Sequence, residues 1–319
     1  MHIGIVTSGG DSPGMNAAIR AAVRQGIALG ARLTGFKYGF DGIIDGECVD
    51  LQAQTVAGIL DHGGTWLGTG RSSRLPGPEG IEAALTTLNL LKVEGLLVIG
   101  GDGSLHGAHA LCQKGFRAVG IPGTIDNDVY GTEATIGYDT CLNTIADAVG
   151  KIRDTASAHN RVFVVEVMGR GSGELAIHAA LAGGAEVVAI PEAENSGAAA
   201  CRAVEYGRRR GKLHTIVIVA EGTCTADEMA TYLSENCSGL EVRKSVLGHI
   251  QRGGRPSARD CILGSRMAAR AIEALLAGES DVMVGIRGEE LVLVPLAEVI
   301  TGKKVPDLSL LQLIANLAS

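Results

Sequence analysis

Aromatic side chains are scarce in this chain: among 319 residues there are four Phe, five Tyr and a single Trp. The core must therefore be aliphatic and rich in alanine. An excess of basic charge is lacking too, since the formal net charge is −7, which argues against a general binder of nucleic acid or of membrane surfaces. No apolar run reaches the roughly 20 residues that cross a bilayer. The N-terminus opens directly on a strand with no signal peptide before it, so the expected location is the cytoplasm. Paired cysteine motifs are missing: Cys48, Cys112, Cys141, Cys201, Cys224, Cys237 and Cys261 form no C-x-x-C pair. Seven scattered cysteines read most simply as reduced thiols in a reducing compartment. Low-complexity tracts and flexible linkers are absent as well, so any domain junction is compact.

Glycine is abundant at 46 residues, without a collagen-like period, as expected of many tight strand-to-helix turns. Short apolar runs alternate with helical patterns in the order of a parallel α/β fold. Strands are expected near 2–7, 32–37, 95–99, 117–121, 161–167, 186–190, 214–220 and 282–286. Helices are expected near 14–29, 78–91, 104–114, 139–157, 173–183, 197–210, 226–236, 257–277 and 307–317. Leu142, Ile145, Val149 and Ile152, for example, stand at helical spacing.

Three loops carry chemistry. In Ile121-Pro122-Gly123-Thr124-Ile125-Asp126-Asn127-Asp128, two carboxylates lie two residues apart, and in extended chain they project to the same side. Crowded like charges raise the proton affinity of one of them, which suits it to take a proton from a substrate hydroxyl. Taken alone, such a loop reads more readily as an Asx-rich turn capping backbone amides. Upstream, the apolar run ending at Ile99 enters Gly100-Gly101-Asp102-Gly103-Ser104 and a helix. Glycines let the backbone approach a bulky anion while amides at the helix start point towards it, so phosphate is the natural guest. Asp102 would repel that phosphate unless a cation intervened, and reads as a ligand of phosphate-bound Mg²⁺, direct or through water. The same strand, GGD and helix arrangement recurs at Thr7-Ser8-Gly9-Gly10-Asp11. His106, His109 and Cys112 recur every three residues along the following helix, but a helix face beside a phosphate loop collects polar residues without any metal.

With Glu166-Val167-Met168-Gly169-Arg170 and Leu247-Gly248-His249-Ile250-Gln251-Arg252-Gly253-Gly254 added, these motifs closely resemble the bacterial ATP-dependent 6-phosphofructokinases. The motifs run from Ile5 to about Gly285. The resemblance implies an α/β protein of two doubly wound, mostly parallel-sheet domains with the active site in the cleft between them. It implies a nucleotide-binding domain of residues 1–138 and 256–304, and a sugar-phosphate-binding domain of 139–255 and 305–319. The implied reaction moves a phosphoryl group from ATP, with Mg²⁺, to the 1-hydroxyl of fructose 6-phosphate. By matching position Asp126 is the base and Asp128 supports it, Asp102 positions the metal, and Gly10, Arg71, Thr124 and Arg170 steady the phosphoryl group. Phe40, Gly101, Gly103, Ser104 and Gly107 complete the ATP site, although Phe40 stands where relatives often have Tyr. A second nucleotide-contacting basic residue usual after the motif arginine is missing or has moved to Arg74.

For the sugar phosphate the resemblance implies Arg161, Arg243, His249 and Arg252 around the 6-phosphate, with Thr124, Asp126 and Arg170 beside the reacting hydroxyl. Met168 and Gly169 form the pocket floor, and Glu221 accepts sugar hydroxyls. A buried Glu is costly without a partner, so a ligand hydroxyl or a nearby Arg is expected at Glu221. In the family Arg161 and Arg243 reach in from a neighbouring subunit, which implies a homotetramer. Relatives that use pyrophosphate carry Asp where this chain has Gly103 and Lys where it has Gly123, so ATP is the expected donor. A pyrophosphate-dependent or other sugar-phosphate kinase, and a non-catalytic regulatory subunit, are the alternatives.

Arg20 and Arg24 lie one helical turn apart, a like-charge pairing that an anion can bridge. By resemblance they join Arg153, Glu186, Arg210, Lys212 and His214 in an effector pocket for ADP or phosphoenolpyruvate, with Glu186 on the metal of a nucleotide. Ala53 and Gly58 replace an arginine and an aspartate of that pocket. Losing one charge-assisted contact weakens an effector by roughly 1.5–3 kcal/mol, on the order of ten- to a hundredfold.

Overall fold

A computed structural model describes residues 1–75, 77–194, 196–237 and 239–318. In chain order the elements run β1 (His2–Ser8), α1 (Met15–Ala28), β2 (Arg32–Phe36), α2 (Phe40–Asp45), β3 (Cys48–Leu51), α3 (Pro78–Leu90), β4 (Gly95–Gly100), α4 (Asp102–Cys112), β5 (Ala118–Pro122) and α5 (Tyr138–His159). They continue with β6 (Val162–Val167), α6 (Glu174–Gly183), β7 (Val187–Ala189), α7 (Ser196–Arg209), β8 (Thr215–Ala220), α8 (Ala226–Asn236), β9 (Val242–Val246), a 3₁₀ turn (Gly248–Arg252), α9 (Ala258–Leu276), β10 (Val282–Arg287), β11 (Glu290–Pro295), α10 (Leu296–Thr301) and α11 (Ser309–Leu317). The chain divides into two compact units.

The first unit comprises Met1–Ile125, Val129–Thr140 and Arg252–Lys304. Its sheet has the order β11-β10-β5-β4-β1-β2-β3, parallel except for the antiparallel edge strands β3 and β11. The central strands β1 and β4 are buried along their whole length, as their nearly continuous apolar runs require of strands covered on both faces. Alternate side chains feed two cores. Ile3, Ile5, Leu97 and Ile99 pack with Ile19 of α1 and Met267 of α9, whereas Val6, Leu96 and Val98 pack with Leu88 of α3 and Leu105 of α4. Gly123 pairs with Ile136 in an isolated bridge, so the loop after β5 leaves the sheet from a fixed point.

The second unit comprises Asp126–Asp128, Cys141–Gln251 and Val305–Ser319. Four parallel strands in the order β7-β8-β6-β9 carry a core of Val162, Val164, Val217 and Val219 against Val204 of α7 and Leu233 of α8. A capping box fixes the start of α8: the Thr225 hydroxyl accepts from the Glu228 amide while Glu228 accepts from the Thr225 amide, an arrangement that satisfies two of the orphan donors of a helix end.

All eight expected strands and nine expected helices are present. The reading overlooked β3, β9, β11, α2 and α10. β3 and β9 are half polar edge strands, and β11 completes a hairpin through Gly288 in the left-handed conformation (φ 56°). The cysteine reading is corrected: Cys201 and Cys237 are joined by a disulfide, while Cys48, Cys112, Cys224 and Cys261 stay outside any disulfide. Among the described residues no group of three or more His, Cys, Asp and Glu is gathered to hold a metal, and no helix is long and apolar enough to cross a membrane. His106 lies against Asp102 and His109 against Asp281.

Candidate active site

In the first unit the two glycine loops are built around one serine. Ser104, buried in the first turn of α4, brings its Oγ to 3.2 Å from where a Cβ on Gly9 would stand and 2.4 Å from one on Gly100. Glycine is therefore required at 100, and Gly9 adds a left-handed φ of 87°. The Gly9 amide donates to the Gly70 carbonyl and Thr69 Oγ1 donates to the Gly9 carbonyl, which ties the first loop to the segment leading into exposed Arg71. A Cβ on Gly101 would come within 3.5 Å of Thr124, so the PGTID loop starts beside the GGDG loop. Thr124 is fixed through its backbone, its amide donating to the Ile136 carbonyl and its own carbonyl accepting from Thr135 Oγ1.

Asp102 begins α4, half exposed, with the His106 ring 3.5 Å away. Gly103 beside it is exposed, and a Cβ there would meet nothing within 4 Å. A half-exposed carboxylate at a helix start fits a hydrated cation carried on phosphate. At Gly123, by contrast, a Cβ would press on Met15 and Ile99 at 3.1 and 3.2 Å. Gly107 and Phe40 are placed differently from a base-binding edge: Phe40 is 3% exposed, and its ring would come within 2.7 Å of a Cβ on Gly107. Gly107 thus serves to let the Phe40 ring pack. Arg74 is held by Asp41 and by both oxygens of Asp45, and these carboxylates raise its affinity for its proton. It is a surface ion pair rather than a substitute phosphate contact. Arg252, assigned to the sugar phosphate, lies within the first unit against Gly10, whose Cβ would fall 2.0 Å from Nη1, and 3.9 Å from Asp11.

In the second unit Asp126 is 1% exposed, and the Nε of Arg170 lies 3.2 Å from its Oδ2. The loop is not extended: Asn127 adopts φ 52°, which turns the chain between the two aspartates, so the argument that alternation puts them on one side does not hold. One near neighbour of the buried carboxylate is the Arg170 guanidinium, which supplies a counter-charge. Asn127 Nδ2 donates to Glu174 Oε1, anchoring the turn to the start of α6. Arg170 itself has φ 52° and follows Gly169 at φ 129°. Backbone held in this region is sparsely populated and gathers at functional sites. Asp128 is half-buried.

Glu221 departs from expectation. It is exposed rather than buried, and its Oε1 accepts from the backbone amide of Arg170, so it positions the Arg170 loop. Met168 is 8% exposed, and its amide donates to Gln251 Oε1, a fully buried side chain that the sequence reading passed over. Arg161 and exposed Arg243 share one carboxylate, Glu241, at 2.8 and 2.5 Å. The two guanidiniums hold the Glu241 carboxyl below its ordinary range, the hydrogen bond from Arg161 contributing most. Two nearby arginines require an anion, and that requirement is the signal that could have found Glu241. His249 is exposed.

Arg20, half-buried, and exposed Arg24 lie on α1 in the first unit. The remaining effector residues lie in the second. Buried Glu186 accepts from the Ile216 amide and pairs with Lys212 at 3.0 Å and Arg153 at 3.8 Å. With those three partners it is a structural anion rather than an open metal ligand. Arg153 also donates to the Gly183 and Gly184 carbonyls, Lys212 to the Ala318 carbonyl, and Arg210 to the Tyr206 hydroxyl. A cavity of about 380 Å³, whose lining includes Glu186, Arg202, Tyr206, Lys212 and Asn316, adjoins them. His214 is half-buried beside β8.

Residues 2–275 match the family described as PFK: Phosphofructokinase. The chain is 48% identical over 316 residues to the ATP-dependent 6-phosphofructokinase of Natranaerobius thermophilus, covering 99% of each chain. It is 47% identical over 290 residues to the protein of the same name from Clostridium botulinum, covering 91% of each. Among solved structures it is similar to Pichia pastoris phosphofructokinase in the T-state, with TM-score 0.90 and 36% identity over 94% of this chain. It spans only 35% of that yeast chain.

Proposed function

The chain belongs to the phosphofructokinase family, and from that premise we propose that it transfers the terminal phosphoryl group of ATP to the 1-hydroxyl of fructose 6-phosphate. The products are fructose 1,6-bisphosphate and ADP. The single observation that carries the reading is the buried Asp126 carboxylate with Arg170 at 3.2 Å. A subunit that only binds has no chemical need for a base of this kind.

In this reading Asp126 accepts the proton of the 1-hydroxyl as the oxygen forms its bond to phosphorus. Arg170 stabilises the charge on the phosphoryl oxygens, joined by Arg71, Gly10 and Thr124. Asn127 and Glu221 keep Asp126 and Arg170 in place through Glu174 and the Arg170 amide. Asp102 would hold Mg²⁺ carried by the nucleotide, and that ion would neutralise phosphate charge. The nucleotide belongs to residues 1–138 and 256–304 and the sugar phosphate to 139–255 and 305–319. Arg161, Arg243, His249 and Arg252 take the 6-phosphate. The enzyme works as a cytoplasmic homotetramer in glycolysis, and the Arg20, Arg24 and Lys212 region takes ADP or phosphoenolpyruvate weakly because Ala53 and Gly58 lack the charges of the family pocket.

Gly103 favours ATP over pyrophosphate. Its missing side chain leaves open the space that the nucleotide's α-phosphate needs, and a lysine at Gly123 would first have to push Met15 and Ile99 aside by a few tenths of an ångström. Phosphorus NMR of the product from ATP and fructose 6-phosphate tests the proposal. A second phosphate on carbon 1 is expected, and phosphate on any other carbon, or none, overturns it.

A further inference from the structure

β6 and β9 pair in parallel with Glu166 opposite Val246, and their ladder runs one rung further, the Leu247 amide donating to the Glu166 carbonyl at 3.1 Å. The evenly spaced bonds of a parallel pair would next draw the Met168 amide to the β9 chain. That chain turns away instead at Gly248, which has φ 52°, and the Gln251 side chain takes the place it leaves. Its Oε1 accepts from the Met168 amide at 3.1 Å, and its Nε2 donates to the Gly248 carbonyl at 3.0 Å. A primary amide can accept from one backbone group and donate to another while staying neutral, which neither a carboxylate nor an ammonium can do. Gln251 is fully buried, so its two bonds are made where a missing partner is costly.

Both ends of this link lead into residues assigned to the sugar phosphate. Met168 is followed by Gly169 at φ 129° and Arg170 at φ 52°. Consecutive residues in such sparsely populated conformations keep their shape only where the surroundings dictate it. Here the Met168 amide is held by Gln251, the Ser172 amide donates to the Gly169 carbonyl at 3.0 Å, and the Arg170 amide donates to Glu221 at 3.0 Å. On the other side Gly248 opens the 3₁₀ turn and is followed directly by exposed His249. One buried side chain therefore sets the spacing of the pocket floor and the His249 turn.

Resting on the assignment of Met168, Gly169 and His249 to the sugar phosphate, we propose that Gln251 is a positioning residue for that ligand, holding floor and turn in register before fructose 6-phosphate arrives. Being wholly buried, it acts through the two backbone groups it joins. A preorganised pocket binds without the cost of ordering its own loops, so loss of Gln251 weakens sugar-phosphate affinity. Arg170 keeps anchors of its own, Glu221 at its amide and Asp126 at its guanidinium, so the chemical step is largely spared. Asp102, Gly103 and Ser104, assigned to the nucleotide, belong to the first unit, so affinity for ATP is spared too.

Gln251→Met in the full chain tests this, because methionine fills a similar volume and carries no amide. KM for fructose 6-phosphate should rise about tenfold, with kcat within about threefold of the parent and KM for ATP unchanged. A lower Tm with KM for fructose 6-phosphate unchanged makes Gln251 a structural residue only and overturns the proposal, as does an equal rise in KM for both substrates. His249→Ala is measured in parallel. A raised KM there beside an unchanged KM in Gln251→Met removes the positioning role alone, whereas an unchanged KM in both removes the assignment of this pocket to the sugar phosphate. Should Gln251→Met fail to fold, amide hydrogen exchange in the parent protein decides. The Met168 amide should exchange about a hundredfold more slowly than an unstructured amide, and about threefold more slowly again at saturating fructose 6-phosphate. Exchange at the unstructured rate, or no response to the sugar phosphate, overturns the proposal.

Discussion

Replacing Asp126 by Ser should remove most of the turnover while leaving the protein folded and binding its sugar phosphate. Asp126 is 1% exposed, whereas the Arg170 side chain that pairs with it is 43% exposed. Losing the carboxylate therefore leaves a guanidinium that water can still reach, and the stability cost is about 1–2 kcal/mol, well below that of a fully buried unpaired charge. The catalytic loss is larger. A positioned general base contributes about 10²–10⁴-fold, equivalent to about 2.7–5.5 kcal/mol of barrier. The assay couples fructose 1,6-bisphosphate formation to NADH oxidation at saturating ATP, with Tm followed on the same preparation. A kcat at least a hundredfold lower, with KM for fructose 6-phosphate within a few-fold and Tm within a few degrees, is the expected result. A kcat within tenfold of the parent in a folded variant refutes the role of Asp126.

Gly103→Asp should fold normally, because a Cβ at that position meets nothing, yet lose affinity for ATP; an unchanged KM for ATP would show that the α-phosphate lies elsewhere. Ala53→Arg, on an exposed position, should strengthen the response to phosphoenolpyruvate about ten- to a hundredfold, read from sugar-phosphate saturation curves with and without effector; a parent enzyme already inhibited at micromolar effector would contradict this. Burial pushes the Asp260 carboxyl above its ordinary value of 3.8, against the hydrogen bonds from Thr140 and the Gly137 amide. The folded state thus holds that proton more tightly, and the contribution to stability present below the ordinary value is lost as pH rises through the raised one. Asp260→Asn should flatten the decline in Tm over that window, and an unchanged slope would assign it to other groups.

The strands and helices that bury a full face were legible in the sequence because burial on both sides writes continuous apolar runs, as in Leu96-Leu97-Val98-Ile99. The glycine loops were legible because Gly100 has no room for a side chain beside Ser104 and Gly9 holds a left-handed φ of 87°. Edge strands were not: β9 reads Val-Arg-Lys-Ser-Val and is half exposed. The relation of Asp126 to Asp128 was misjudged, since an Asn in the left-handed conformation leaves no periodic trace to contradict alternation. The partners of Glu221, Glu186 and Arg74 could not be read either, because each comes from a distant segment or from the backbone. The same holds for Cys201 and Cys237, whose separation of 36 residues matches no cysteine motif.

The most direct test of the central claim is the initial rate of purified protein with fructose 6-phosphate and Mg²⁺, offered ATP and inorganic pyrophosphate in separate reactions. The account predicts fructose 1,6-bisphosphate from ATP at a turnover of roughly 1–100 per second, the range usual for kinases, and little or none from pyrophosphate. Faster turnover with pyrophosphate, or no product from either donor, would contradict it.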